Sequence, residues 1–219
     1  MAAIPKENTK QKLTKAAIQV FAEKGFRDAT VRQICKQAGT ANINAVNYYF
    51  GSKEQLYKQI LEFIFAEYEQ QVPADFPDRS SEEQLHIYIT TFCKILYGEG
   101  DRDADTTAIL VEEFTRPSPF LEEMVDTFNR PRVERLLKII KSLLGSGASD
   151  DMARDCLVSV SGQLLYFSFA RPVFSRLFPN YFKKSSYKKW AAHVFKFTMG
   201  GIEAYKRELE CQGGDNDGS

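Results

Sequence analysis

A chain of 219 residues, 43% of them hydrophobic, can bury a sizeable core in one large domain or two small ones. Its apolar runs are broken by charge and too short to span a bilayer, and its start, Met-Ala-Ala-Ile-Pro-Lys-Glu, lacks a signal-peptide core, so a cytoplasmic protein is expected. The net charge of zero hides an asymmetry: residues 1–60 carry ten Lys/Arg and four acids, net +6, and the rest carries the balancing −6, which suits a basic head to a polyanion.

Almost every segment has helical periodicity, and none sustains a period of two, so the fold class expected is all-α. The first helix spans about Asn8 to Lys24, with Leu13, Ala16, Ala17, Val20 and Phe21 on one face and Gly25 as its stop. Thr30 and Gln33 form a capping-box pattern that opens a short second helix with Val31, Ile34 and Ala38 inward, ended by Gly39. After the turn Thr40-Ala41-Asn42, a third short helix covers about Ile43 to Tyr48, with Tyr48 and Phe50 expected in the core. Ser52 with Gln55 caps a fourth helix running to about Gln71.

Pro73, Pro77 and the polar run to Ser81 read as a linker. Ser80 and Glu83 cap a helix to about Tyr97, and the charged stretch Asp101 to Asp105 leads into one ending near Thr115. Arg116 to Pro119 breaks the chain. A long helix to about Leu144 follows, kinked or split near Phe128 to Arg130 by Pro131. Asp150 to about Ala170 is the next, ended by Arg171-Pro172, with a short piece over Val173 to Leu177. Ser185 to about Glu210 is the last. The divisions expected are 1–54 for DNA binding, 55–212 for a helical bundle, and a disordered tail over 213–219.

Cys35, Cys93, Cys156 and Cys211 are far apart, and neither His86 nor His193 stands at ligand spacing, so reduced thiols and no metal are expected. No phosphate loop, nucleophile elbow or His-Glu-x-x-His motif occurs. The acid pairs Glu112-Glu113 and Glu122-Glu123 are adjacent on helices and diverge, so neither an enzyme nor a cofactor is expected.

Two short helices joined by a tight glycine turn make a helix-turn-helix, whose second helix fits the major groove. Phe21-Ala-Glu-Lys-Gly25-Phe26, Ala29-Thr30-Val31-Arg32-Gln33-Ile34, Ala38-Gly39 and Asn47-Tyr48-Tyr49-Phe50-Gly51-Ser52-Lys53-Glu54-Gln55-Leu56 follow in order. Over about residues 8–60 this resembles the N-terminal domain of TetR-family regulators, with Thr40 to Val46 about one residue longer than the usual spacing. The resemblance implies a three-helix DNA-binding domain, a C-terminal bundle for ligand binding and dimerisation, and a homodimer on an operator. It implies phosphate contacts from Thr30, Asn47, Tyr49 and Lys53. Arg32, Asn42, Asn44 and Ala45 would specify: the arginine by a guanine edge or the backbone, the asparagines by adenine, the alanine by a thymine methyl. Asn42 reads equally well as a helix cap, and Lys6, Lys10 and Lys12 equally well as a DNA-side arm or as solvated surface.

The chain has 17 Phe and 10 Tyr, most of them beyond the helix-turn-helix. Ordinary core is one reading of them. An aromatic-lined cavity for an apolar or aromatic inducer is the other, and the family resemblance favours it, with Phe92, Leu110, Phe114, Phe128, Tyr166 and Phe169 as candidate lining. Glu112 to Pro119 with Asn129-Arg130-Pro131 is also similar to a drug-responsive TetR subgroup. Gly162, Gly200 and Gly201 sit mid-helix, where each costs roughly 1 kcal/mol against alanine, so they mark a close helix approach at a dimer interface or a local bend. The function expected is a ligand-released repressor on a near-palindromic operator. The alternative is a dimeric DNA-binding protein with no small-molecule ligand.

Overall fold

The computed structural model describes residues 8–97, 101–180 and 186–214, which form helices and turns with no strand among them. In chain order the helices are α1 (Thr9–Asp28), α2 (Val31–Gln37), α3 (Ala45–Phe50), α4 (Lys53–Gln71), α5 (Ser81–Tyr97), α6 (Asp101–Thr115), α7 (Leu121–Met124), α8 (Arg130–Leu144), α9 (Asp150–Leu177) and α10 (Ser186–Gly214). They gather into two compact units: Met1–Ala66 with Gly100–Val125, and Glu67–Glu99 with Asp126–Ser219. The first unit therefore joins α1, α2, α3 and most of α4 to α6 and α7, which follow much later in the chain.

In the first unit the inward stripe of α1 is the expected one: Leu13, Ala16, Ala17, Val20 and Phe21 are all buried. Gly25 interrupts the regular helix where the sequence places a stop. It takes φ +76°, kinks the helix, and helical bonding resumes to Asp28. The kink brings α1 against α6, where a Cβ on residue 25 would stand 2.7 Å from Glu112 Oε1. The left-handed φ favours glycine there, while the Glu112 carboxylate, at the end of a flexible side chain, could move aside.

The core of the second unit is built from Leu85, Ile89 and Cys93 of α5, Leu136 and Ile140 of α8, Val160 and Leu164 of α9, and Val194 of α10. Ser80 caps α5 as expected: its hydroxyl accepts the Glu83 N–H, and Glu83 accepts from the Ser80 N–H and hydroxyl at 3.0 and 2.8 Å. Pro131 distorts its helix near the expected place without breaking it. α7 passes through a π-turn over Val125–Asn129 directly into α8, and the wider turn just before Pro131 accommodates a residue with no N–H to give. Pro172 does not end α9, which runs unbroken to Leu177. The ring removes one i→i−4 bond, and the rest of a 28-residue helix carries across that single gap. The last helix continues past Glu210, so Gly213 and Gly214 of the expected tail lie in α10, and 215–219 fall outside the described residues.

Cys35, Cys93 and Cys156 are buried free thiols and Cys211 is an exposed one. Burial pushes the Cys93 thiol up to about 12. Among the described residues no helix is long and apolar enough to cross a membrane, and no three His, Cys, Asp or Glu side chains cluster to hold a metal.

Candidate nucleic-acid interface

The interface is shaped by how α2 begins and ends. At its start Thr30 and Gln33 bond reciprocally: the Thr30 hydroxyl accepts the Gln33 N–H at 3.3 Å, and Gln33 Oε1 accepts the Thr30 N–H at 2.9 Å. The Thr30 hydroxyl also donates to that oxygen at 2.8 Å. Thr30 and Arg32 are both exposed. At its end Gly39, at φ +68°, allows two closing bonds, Gly39 N–H to Lys36 O at 3.1 Å and Thr40 N–H to Cys35 O at 3.0 Å.

The turn that follows is held by short polar side chains. Thr40 Oγ1 accepts the Asn42 N–H at 3.3 Å, and Asn42 Oδ1 accepts the Asn44 N–H at 3.0 Å. Asn42 thus closes an Asx turn, and the Ala45 N–H donates to its carbonyl at 3.1 Å. This occupies the chain through Asn44, so the third helix begins at Ala45, not at Ile43 as expected. The two-residue delay rotates the helix. Ala45, expected at the groove, is buried with Val46 and Phe50. Tyr48, expected in the core, is 81% exposed and packs edge-on against Tyr49 at 4.9 Å between centroids. Asn42, Asn44, Asn47, Tyr48 and Tyr49 are all exposed, and the Asn44 side chain is not used in capping α3. Of the basic arm, Lys6 lies outside the described residues. Lys10 stands 5.6 Å over the Phe50 ring, and Lys12 is exposed.

Lys53 has a second task. Its ammonium lies 4.7 Å over the Phe26 ring and donates to the carbonyls of Phe26 and Ala29, both at 2.9 Å. It ties the start of α4 to the end of α1, with one of its three protons left for an outside acceptor. Ser52 accepts the Gln55 N–H at 3.2 Å, and first-turn hydrogen bonds hold the Glu54 carboxyl below its ordinary range.

Within the same unit, α6, the turn after it and α7 pack against α1 and α4. Glu113 is 1% exposed and accepts the Tyr57 hydroxyl at 2.7 Å and the Ser118 N–H at 3.3 and 3.2 Å through its two oxygens. Burial first, and the Glu113 carboxylate second, push the Tyr57 phenol up. The Tyr57 ring lies 4.8 Å from Phe21 and 4.6 Å from Phe26, and Phe120 packs edge-on to Phe26 at 6.0 Å. Lys58 pairs with Glu123 at 2.8 Å. Glu112 turns the other way, to Arg116 at 2.8 Å. Nothing in the sequence marked Tyr57 as the partner of Glu113, 56 positions on. The one signal was a tyrosine at a core position, which needs a buried acceptor.

The remaining candidates are spread over both units. Leu110 and Phe114 belong to the first, and Phe92, Phe128, Tyr166 and Phe169 to the second. Phe92 is part of an aromatic cluster with Tyr68 and Tyr88, at 4.9 and 4.8 Å. Phe114, Tyr166 and Phe169 are exposed, and Tyr166 meets Phe174 edge-on at 5.8 Å. Gly162, Gly200 and Gly201 are exposed, and a Cβ on any of them would meet nothing within 4 Å inside the protomer. Gly200 and Gly201 line a groove of about 560 Å³ with His193, Lys196 and Phe197.

A short helix, a tight turn and a second short helix with an outward polar-aromatic face define a helix-turn-helix DNA-binding protein. Residues 13–60 match the family model "Bacterial regulatory proteins, tetR family", and residues 81–203 match "HTH-type transcriptional dual regulator CecR, C-terminal domain". The chain belongs to the TetR family of transcriptional regulators, with a C-terminal domain of the CecR type. It is 39% identical over 64 residues to the transcriptional repressor NicS of Pseudomonas putida, covering 29% of this chain and 30% of NicS. It is 48% identical over 58 residues to the dual regulator CecR of Shigella flexneri, covering 26% of this chain and 25% of CecR. These matches span less than a third of either relative. The regulator FadR of Bacillus subtilis, solved in complex with stearoyl-CoA, superposes with a TM-score of 0.62 at 18% identity, covering 88% of this chain and 98% of that one, a likeness of fold.

Proposed function

We propose that this regulator is a cytoplasmic repressor that binds a near-palindromic operator as a homodimer and leaves it when a small apolar or aromatic inducer binds. The observation that carries the reading is the outward face formed by Arg32, Asn42, Asn44, Asn47, Tyr48 and Tyr49 on a head of net positive charge. Arginine and asparagine can pair bidentately with guanine and adenine edges, while tyrosine hydroxyls and the spare Lys53 proton suit phosphates. Occupying a promoter blocks it most simply, and NicS is named a repressor. Dimerisation is supported by the uncovered face of the second unit, where Val158 and Phe197 are 65% and 67% exposed beside bare glycines. A two-fold pair would present two reading helices to successive major-groove faces. Inducer binding is supported by the aromatic content of the second unit and by the acyl-CoA complex of the FadR fold. Differential affinity for a state with wrongly spaced heads would release the DNA.

Selection of bound fragments from random genomic DNA, repeated over a salt series, tests this. Enrichment of one near-palindromic sequence is expected, with its preference relaxed by Arg32→Ala and its affinity lowered by Tyr49→Ala. Binding with no enriched sequence would overturn the specific-operator reading.

A further inference from the structure

Within the first unit, one exposed side chain is out of keeping with its surroundings. Ile43 lies in the turn before α3, between the exposed Asn42 and Asn44, and is itself 54% exposed. Turns favour glycine and short polar residues, and a branched apolar side chain gains little from packing where more than half of it stands in water. The backbone around Ile43, by contrast, is tied down. The buried Cys35 thiol of α2 donates to the Ile43 carbonyl at 3.6 Å. Asn42 Oδ1 accepts the Asn44 N–H at 3.0 Å, and the Asn42 carbonyl accepts the Ala45 N–H at 3.1 Å. The turn therefore holds Ile43 in one place, and β-branching leaves its side chain few rotamers. In a helix-turn-helix the residues that open the second helix meet the base edges. Ile43 stands there, whereas Ala45, the apolar residue expected at the groove, is 3% exposed. The asparagines of this face can hydrogen-bond, and an isoleucine cannot. What the major groove offers an apolar side chain is the C5-methyl group of thymine.

We infer that Ile43 is a specificity-determining residue whose side chain packs on the methyl group of one thymine in each half of the operator. The chemistry recognised is that methyl, not a hydrogen-bonding edge. This rests on the operator-binding reading above and deepens it. A contact of this kind is lost when the methyl alone is removed from the base, and no polar contact of Asn44 or Asn47 is touched by that change.

Uracil substitution tests the inference on the full-length protein and the operator recovered by the selection above. Deoxyuridine lacks only the C5-methyl of thymidine, so base pairing and the O4 acceptor are kept. Each thymine of a half-site is replaced in turn, and affinity is measured by fluorescence anisotropy. At one position, repeated in the other half-site, uracil should weaken wild-type binding about fourfold, and about tenfold or more when both half-sites carry it, the scale of one buried methyl per contact. Ile43→Ala should weaken the thymine operator by a similar factor and bind the uracil operator equally well. Ile43→Val should keep part of the discrimination. Selection repeated with Ile43→Ala should lose that one thymine and retain the rest of the operator. Thermal unfolding and low-salt binding to random DNA, both unchanged, check that the variants are folded. An operator with no uracil-sensitive thymine, or a sensitivity that survives in Ile43→Ala, overturns the contact and leaves the operator reading standing. Survival together with weaker binding to both operators assigns the side chain to the structure of the turn. If selection enriches no sequence, both readings fall.

Discussion

The two units of this regulator bury opposite things. The first hides a carboxylate, Glu113, behind a face of exposed asparagine, arginine and tyrosine. The second hides a cation, Arg132, and leaves Val158, Tyr166, Val173 and Phe197 in the open. A surface that meets DNA is polar and hydrogen-bonding, and under the dimer proposed above an apolar face on the second unit would be covered by another copy of the chain. Each interior is then free to hold one charged group whose role is not solvation. In the first unit that group fixes geometry, with its partners Tyr57 and Ser118 both supplied by the same unit.

The sharpest way to break the comparison is to empty one core at a time. Phe21→Ala removes a ring 1% exposed and packed on Tyr57, at a cost of about 3–5 kcal/mol. It should abolish operator binding in gel shifts while sedimentation still shows the dimer. Leu164→Ala should cost about 2–5 kcal/mol and weaken self-association first. Joint loss of both properties in each variant would contradict separate roles. Next in size, Glu113→Ala strands the Tyr57 hydroxyl and the Ser118 N–H, for about 2–3 kcal/mol in urea unfolding. Adding Tyr57→Phe should recover part of it, and a purely additive double variant would remove the pairing from the account. Gly25→Ala forces a left-handed φ and meets Glu112, at about 1–3 kcal/mol, which Glu112→Ala should reduce.

The smallest effect is a pH dependence. Burial pushes the Tyr88 phenol from 10 to about 12, so folding favours its neutral form. Stability from this group is intact below pH 10 and falls as pH rises from 10 through about 12. Tyr88→Phe should flatten that limb of a denaturation series, and an unchanged slope would assign alkaline unfolding to other groups.

The capped helices were legible in the sequence because a cap is local. Thr30 with Gln33 and Ser80 with Glu83 bond as their spacing implies, and the helix holding Pro131 is distorted by a π-turn just before it. Structure and sequence part where a local signal competes with something larger. Pro172 has the signature of a stop, yet α9 runs through it because the rest of a long helix bridges one missing bond, whereas Gly25 does interrupt regular helix and a further turn follows it. α3 starts later than its apolar pattern suggests because Asn42 serves the turn before it can serve the helix. That delay alone exchanged Ala45 and Tyr48 between core and surface. Long-range pairs such as Tyr57 with Glu113 have no local signature at all.

The bracing of the first unit by α6 and α7 bears on how such regulators can be recombined. A chimera that joins residues 1–60 to a foreign bundle cuts Tyr57 from Glu113, Lys58 from Glu123 and Phe26 from Phe120. The exchangeable cassette is discontinuous: it includes 112–123 as well as the N-terminal helices. Graftings that carry both pieces should keep their operator, whereas those cut at the end of the sequence motif inherit an exposed aromatic flank and a tyrosine seeking an acceptor.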